Sequence, residues 1–310
     1  MNSKPIIIVP GEKKSIFFEI FFKALKIKKF KSPLILICSK KILHAETRKY
    51  KFKKKIQLVN YNQIFQKKLT KKEIYLIDVT NDNSNNYVQE CFQLAFKILK
   101  TGFTNKLLNG PINKSKTLKK KYLGVTEYIS KNFKQKKFAM LIYNDKLSVC
   151  PLTTHLPLKS VTKKITKKLI IEKILIINNF YKKVLHFKPR IGVMGLNPHC
   201  ESISKFNEDT KILLPAINYL KKNIRIKGPI PSDTIFLKEN RKKYDVIIGM
   251  YHDQVLTPIK TLFEYDAINI TIGLPFLRVT PDHGPNEIMF GKNRSNPTSL
   301  VKAINFLDIR

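Results

Sequence analysis

The chain is short of acid and of every compact motif that settles a function early. Of 310 residues only 22 are Asp or Glu, against 59 Lys or Arg, a formal net charge of +37. No G-x-G-x-x-G stretch occurs, which removes one way of holding a dinucleotide and no other. No Walker A sequence occurs, so a P-loop nucleotide site is excluded. The four cysteines, Cys38, Cys91, Cys150 and Cys200, form no C-x-x-C pair, and three stand in apolar segments typical of buried thiols. That usage suits a reducing compartment. No apolar run is long enough to span a bilayer, and the one in MNSKPIIIVPGEKK is too short for a signal peptide. The expectation is a cytoplasmic protein with no membrane partner.

The excess of positive charge is spread along the chain in pairs and triplets, such as Lys53 to Lys55 and Lys119 to Lys121, among abundant Ile and Asn. This is compositional drift toward solvated lysine faces, and net charge bears on solubility and steering rather than on fold. Clustered lysines would also support a nucleic-acid-binding protein. The basic runs lack a recognition motif, however, so nucleic acid is kept only as an alternative partner. Anionic small molecules would be drawn in on either reading.

With 43% hydrophobic residues the chain has material for one large or two ordinary domains. Residues 4–10 read as a buried first strand, and SIFFEIFFKALK from Ser15 follows with helical spacing. PLILICS, EIYLIDV, KLLNGPI, AMLIYND and KLSVCPLTT read as further strands, and VQECFQLAFKIL from Val88 reads as a helix. RIGVMGLNPH and YDVIIGMYHD are the clearest strand-to-loop units, each an apolar run that delivers polar residues at its carboxyl end. Such alternation predicts an α/β fold with a largely parallel, helix-covered sheet, whose ligands gather at the carboxyl ends of the strands.

The densest polar chemistry lies between Tyr251 and Gly284, where His252, Asp253, Lys260, Asn269, Arg278, Asp282 and His283 alternate with apolar runs such as INITIGLPFL. His155 in TTHLPL and His199 in GLNPHC also stand in loop-like settings, whereas His44 and His186 read as surface residues. A lone histidine is more often structural than a ligand. Three at the ends of apparent strands of one sheet point to metal, because strand ends converge and imidazole is the commonest protein ligand.

TTHLPL, GLNPH, GPIPSDT, MYHDQ, NITIGLPF-x-R and DHG, in this order, resemble the signature segments of the 4-hydroxythreonine-4-phosphate dehydrogenase family of vitamin B6 biosynthesis. The resemblance runs from Asn109 to the C-terminus. It implies a two-domain fold like that of isocitrate and isopropylmalate dehydrogenases, with an interdomain active-site cleft and a homodimer that shares it. The expected division is 1–130 plus 291–310 as a first α/β domain and 131–290 as a second. The resemblance further implies His155, His199 and His252 as ligands of a divalent metal (zinc, magnesium or cobalt) and NAD or NADP as cofactor. It gives Thr126, Asp233, Lys260, Asn269 and Arg278 as substrate-binding residues, and Asp253 and Lys260 as catalytic. The implied reaction is oxidation, with decarboxylation, of 4-phosphohydroxy-L-threonine. A related dehydrogenase of threonate or erythronate 4-phosphate is the alternative.

Three departures stand out. GVTEY places Val125 where the family pattern G-H-T-E-F has a histidine. The family's glycine-rich opening loop is reduced to GEKKSIFFE, and CESISKFNEDTK replaces a glycine-rich, acid-containing loop after His199.

Overall fold

The protein, seen in a computed structural model, is described over residues 3–113, 117, 122, 124–203 and 206–310. Lys119 to Lys121, and Ser204 and Lys205 of the loop after His199, lie outside the described residues. In chain order the strands are β1 (Ile6–Val9), β2 (Leu34–Cys38), β3 (Ile56–Leu58), β4 (Ile74–Asp78), β5 (Lys106–Asn109) and β6 (Ala139–Tyr143). They continue with β7 (Ser148–Pro151), β8 (Ile191–Met194), β9 (Ile226–Ile230), β10 (Val246–Gly249), β11 (Ile268–Ile272) and β12 (Leu277–Pro281). The chain divides into two compact units, Met1–Lys134 with Leu274–Arg310, and Gln135–Gly273.

In unit 1 the strand order is β3-β4-β2-β1-β5-β12, and every pairing is parallel. β1 (IIIV) and β2 (LILIC) are buried at every residue, as strands covered on both faces must be. Each such aliphatic side chain contributes about 1.5–3 kcal/mol by leaving water. The helix Tyr87–Lys100 buries Val88, Cys91, Phe92, Ala95, Phe96 and Leu99, a stripe at helical spacing, and packs on β1 and β2. The helix Phe17–Ile27 packs against the C-terminal helix Thr298–Asp308.

The sequence reading returned the chain to its first domain at residue 291, but the return comes at Leu274. The cause is strand pairing. β12 runs parallel to β5 with Arg278 opposite Leu107, and the helix Thr298–Asp308 packs on β12. Buried carboxylates fasten the returning segment: Glu19 accepts from the Ser295 backbone N–H at 2.6 Å, and Asp308 accepts from that of Ser32 at 2.6 Å.

In unit 2 the order is β11-β6-β7-β10-β8-β9. β6 runs antiparallel to both β11 and β7. β7, β10, β8 and β9 are parallel to one another. The helix Lys167–Phe180 packs on β6 and β11, and the helix His252–Phe263 on β7 and β10. Four neighbouring parallel strands therefore end at one edge of the sheet, where α/β folds place their ligands.

Candidate active site

Each of those four strands leads to a sequence-predicted residue: β7 to His155 in a loop, β10 to His252 at the start of a helix, β8 to His199 in a turn and β9 to Asp233 in a short helix. The β7 and β10 ends are stitched together beyond the ladder. The Leu152 N–H donates to Gly249 O at 2.8 Å, and the Thr153 hydroxyl to Met250 O at 2.7 Å. This brings the His155 and His252 rings to 5.9 Å between centroids at an interplanar angle of 36°. Two imidazoles sharing one ion at metal–nitrogen distances of about 2.0–2.1 Å have centroids roughly 5 Å apart, within about 1 Å of the spacing of this pair.

Asp253 opens the helix His252–Phe263 beside His252, and its Oδ1 lies 2.7 Å from His252 Nδ1. A carboxylate there favours the proton on Nδ1 and leaves Nε2 as the nitrogen for a ligand, the usual arrangement around metal-binding histidines. His199 sits in the turn Pro198–Cys200 with φ 52° and ψ 15°, followed by Cys200 at φ 63°, and it is exposed. Among the described residues no three His, Cys, Asp or Glu are gathered as a metal-holding group. Of the three expected ligands, His155 and His252 are ring neighbours, and His199 follows the adjacent strand without being gathered with them.

The loop that carries His199 is fastened from behind by Asp209, which is fully buried. Its carboxylate accepts from the backbone N–H groups of Leu196 at 2.7 Å and Asn197 at 3.0 Å, and from the Asn197 amide at 3.0 Å. Gly195 is required at this point, since a Cβ there would lie 2.5 Å from Cys200 Sγ and 3.0 Å from Asp209 Oδ1. Burial, reinforced by Asp209, pushes the Cys200 thiol up to about 11, so it is a protonated thiol near neutral pH.

Lys260 lies two turns beyond His252 on the same helix, exposed, as is Asp233 in the short helix Ser232–Ile235. Asn269 is half-buried on β11 opposite Ile142, and its Oδ1 is buried with no hydrogen-bond partner. Such an atom fits a ligand donor, because buried polar groups in native folds are rarely left unsatisfied.

In unit 1, Arg278 on β12 is 4% exposed. Its Nε donates to Asn109 Oδ1 at 2.8 Å and its Nη1 to Thr126 Oγ1 at 3.1 Å. Burial brings its pKa down to about 10 against the opposing influence of Glu127, so the guanidinium stays charged near neutrality. Glu127 Oε2 is also buried with no hydrogen-bond partner. Val125 begins the helix Val125–Asn132 and packs, partly buried, against the unit 1 core.

Sequence reasoning missed Asn109, Asp209 and Gln254. Asn109 and Gln254 stood inside quoted motifs, NGPI and MYHDQ, but a residue that positions another one leaves no signature of its own in a single sequence. Asp209 had only the acid in CESISKFNEDTK to mark it.

Residues 29–307 match the family described as Pyridoxal phosphate biosynthetic protein PdxA. A 4-hydroxythreonine-4-phosphate dehydrogenase of Sulfurihydrogenibium sp. is 34% identical over 309 residues, 96% of this chain and 95% of that protein. A D-threonate 4-phosphate dehydrogenase of Salmonella typhimurium is 37% identical over 198 residues, 63% of this chain and 61% of that protein. Among solved structures, 4-hydroxythreonine-4-phosphate dehydrogenase from Klebsiella pneumoniae superposes with a TM-score of 0.83 at 26% identity, covering 99% of this chain and 97% of that one. An isocitrate dehydrogenase from Methylococcus capsulatus shares the fold alone, with a TM-score of 0.50 at 12% identity over 98% of this chain and 84% of that one.

Proposed function

We propose, from the premise that the chain belongs to the PdxA family of pyridoxal phosphate biosynthetic proteins and is an oxidoreductase, that it oxidises 4-phosphohydroxy-L-threonine and releases carbon dioxide from the product. The observation that best supports this reading is the delivery of His155, His252, His199 and Asp233 by four adjacent parallel strands, with two imidazoles 5.9 Å apart. A divalent ion held by His155, His199 and His252 would polarise the substrate hydroxyl and its neighbouring carbonyl. NAD or NADP would supply the hydride acceptor.

The chain's own residues do the rest. Asp253 orients His252 through Nδ1 and, with Asp233, offers a carboxylate that can take a proton. Lys260 offers an ammonium that can pair with an anionic group and move a proton. Asn269 presents its unsatisfied Oδ1 to a substrate donor. In unit 1, Arg278, held by Asn109 and Thr126, is assigned to a phosphate or carboxylate, for which a fixed guanidinium fork is well suited. The working form is proposed to be a cytoplasmic homodimer with a shared active site, which light scattering would read as twice the chain mass.

D-threonate 4-phosphate is the second reading, favoured by Val125 in place of the family histidine and by the relative that bears that name. The test is NADH formation by the purified protein with phosphohydroxythreonine, threonate 4-phosphate and erythronate 4-phosphate, each with and without divalent metal. Metal-dependent turnover that is fastest on phosphohydroxythreonine is the expected result. Preference for threonate 4-phosphate would replace the substrate, and no turnover on any of them would overturn the reading.

A further inference from the structure

The quoted motif MYHDQ carries a residue to which the proposed chemistry gives no part, Gln254. Its side chain folds back from the first turn of the helix His252–Phe263 and bonds in three directions. Oε1 accepts from the Met250 backbone N–H at 2.6 Å. Nε2 donates to Gly195 O at 2.8 Å and to Ser232 Oγ at 2.8 Å. The Ser232 hydroxyl also lies 3.4 Å from Gly195 O.

Each partner sits where a candidate residue is about to emerge. Met250 follows β10 and precedes His252, Gly195 follows β8 and precedes His199, and Ser232 follows β9 and precedes Asp233. The space for the side chain is built in as well: a Cβ at Gly249 would come within 2.9 Å of Gln254 Oε1. A primary amide is the side chain suited to this place, because it offers one acceptor to a backbone N–H and two donors to a carbonyl and a hydroxyl at once.

We infer that Gln254 is a positioning residue that locks the ends of β10, β8 and β9 in register, so that His252, His199 and Asp233 leave the sheet at one edge. The inference rests on the proposed metal site. Groups behind a metal's ligands that fix their orientation commonly alter metal affinity by about 10- to 100-fold when removed. Gln254 does this through two loop backbones and the Ser232 hydroxyl rather than by touching an imidazole.

The test is the affinity of metal-free protein for Co²⁺ by calorimetry, with the visible absorption of the bound ion and the thermal midpoint, in wild type, Gln254→Met and Gln254→Glu. Gln254→Met keeps the volume and removes all three bonds. Gln254→Glu keeps the acceptor and loses both donors, and its added charge would by itself attract a cation, so a loss of affinity there reports lost register. The expected result is at least a tenfold weaker Co²⁺ affinity and an altered absorption spectrum in both variants, with a thermal midpoint lowered by a few degrees for the backbone groups left unpaired and a folded protein at the assay temperature. Should Gln254→Met fail to fold, Gln254→Glu carries the comparison alone. A folded variant that binds Co²⁺ as tightly as wild type, with the same spectrum, overturns the inference. Wild-type protein that binds no Co²⁺ removes the metal site and the inference with it.

Discussion

At the scale of single residues the site is defined by what each side chain is tied to. Val125 illustrates the limit of sequence. The missing family histidine was legible, but the destination of the valine was not: it packs against the apolar core of unit 1. Val125→His would set an imidazole against that core, at a cost of about 1–3 kcal/mol if its polar atoms stay unpaired. The expected outcome is a thermal midpoint a few degrees below wild type with no gain in kcat/KM. An unchanged midpoint together with faster turnover would show that the ring swings clear and restores a donor. Asp245 supplies a pH-dependent case. Burial would raise its carboxyl, but the side-chain and backbone hydrogen bonds from Arg190, with the charges of Arg190 and Arg225, bring it below the usual range. Its unfolded value is about 3.9, so the unfolded chain takes up the proton first as pH falls. The stabilisation is therefore complete above that value and is lost as pH drops through the lower folded one. Melting curves from pH 6 to pH 3 should show a larger fall in midpoint for wild type than for Asp245→Asn. Equal falls would contradict the assignment.

At the scale of elements, continuous apolar runs were the readable signal. IIIV, LILIC and VIIG gave strands because a strand buried on both faces has no polar side. β9 gave no such signal: its sequence IKGPI holds Gly and Pro, and as the last strand of its sheet it is only partly buried. The run INITIGLPFL is not one strand: β11 ends at Ile272, the backbone bends from Gly273, whose φ of 96° suits glycine, and β12 starts only at Leu277. The return of the chain at Leu274 rests on pairing between β12 and β5, a long-range fact with no local mark. The helix that begins at His252 is placed by β10, and Gly249 sets their approach. A Cβ at Gly249 would lie 2.5 Å from Val255 Cγ1, so Gly249→Ala forces the helix start away from the strand. Overpacking of this kind costs about 1–3 kcal/mol. The variant should melt lower than wild type and lose kcat, whereas Gly284→Ala, with nothing within 4 Å of its Cβ, should melt within about 0.5 kcal/mol of wild type. A Gly249→Ala protein with wild-type stability and turnover would show that the helix start is free to shift.

At the scale of the whole molecule, the charge of +37 and the site chemistry are separate properties. Exposed lysines release counterions from any polyanion, so weak binding to nucleic acid is expected. It should fall steeply between 50 and 200 mM salt and should not depend on divalent metal. Binding that survives high salt would revive the nucleic-acid reading. The candidate site was legible as residue types at strand ends, and the fold places four of them after adjacent parallel strands. Their assembly was less legible, because a turn such as Pro198–Cys200 takes its conformation from Asp209 and the surrounding loops rather than from its own three residues. His155, His199 and His252 are proposed to serve one divalent ion. Anomalous diffraction at the cobalt edge from crystals grown with Co²⁺ tests it most directly. One strong peak per chain is expected about 2.0–2.1 Å from a nitrogen of each of the three imidazoles, lost in His252→Ala. A peak held by other residues, or none at saturating Co²⁺, would contradict it.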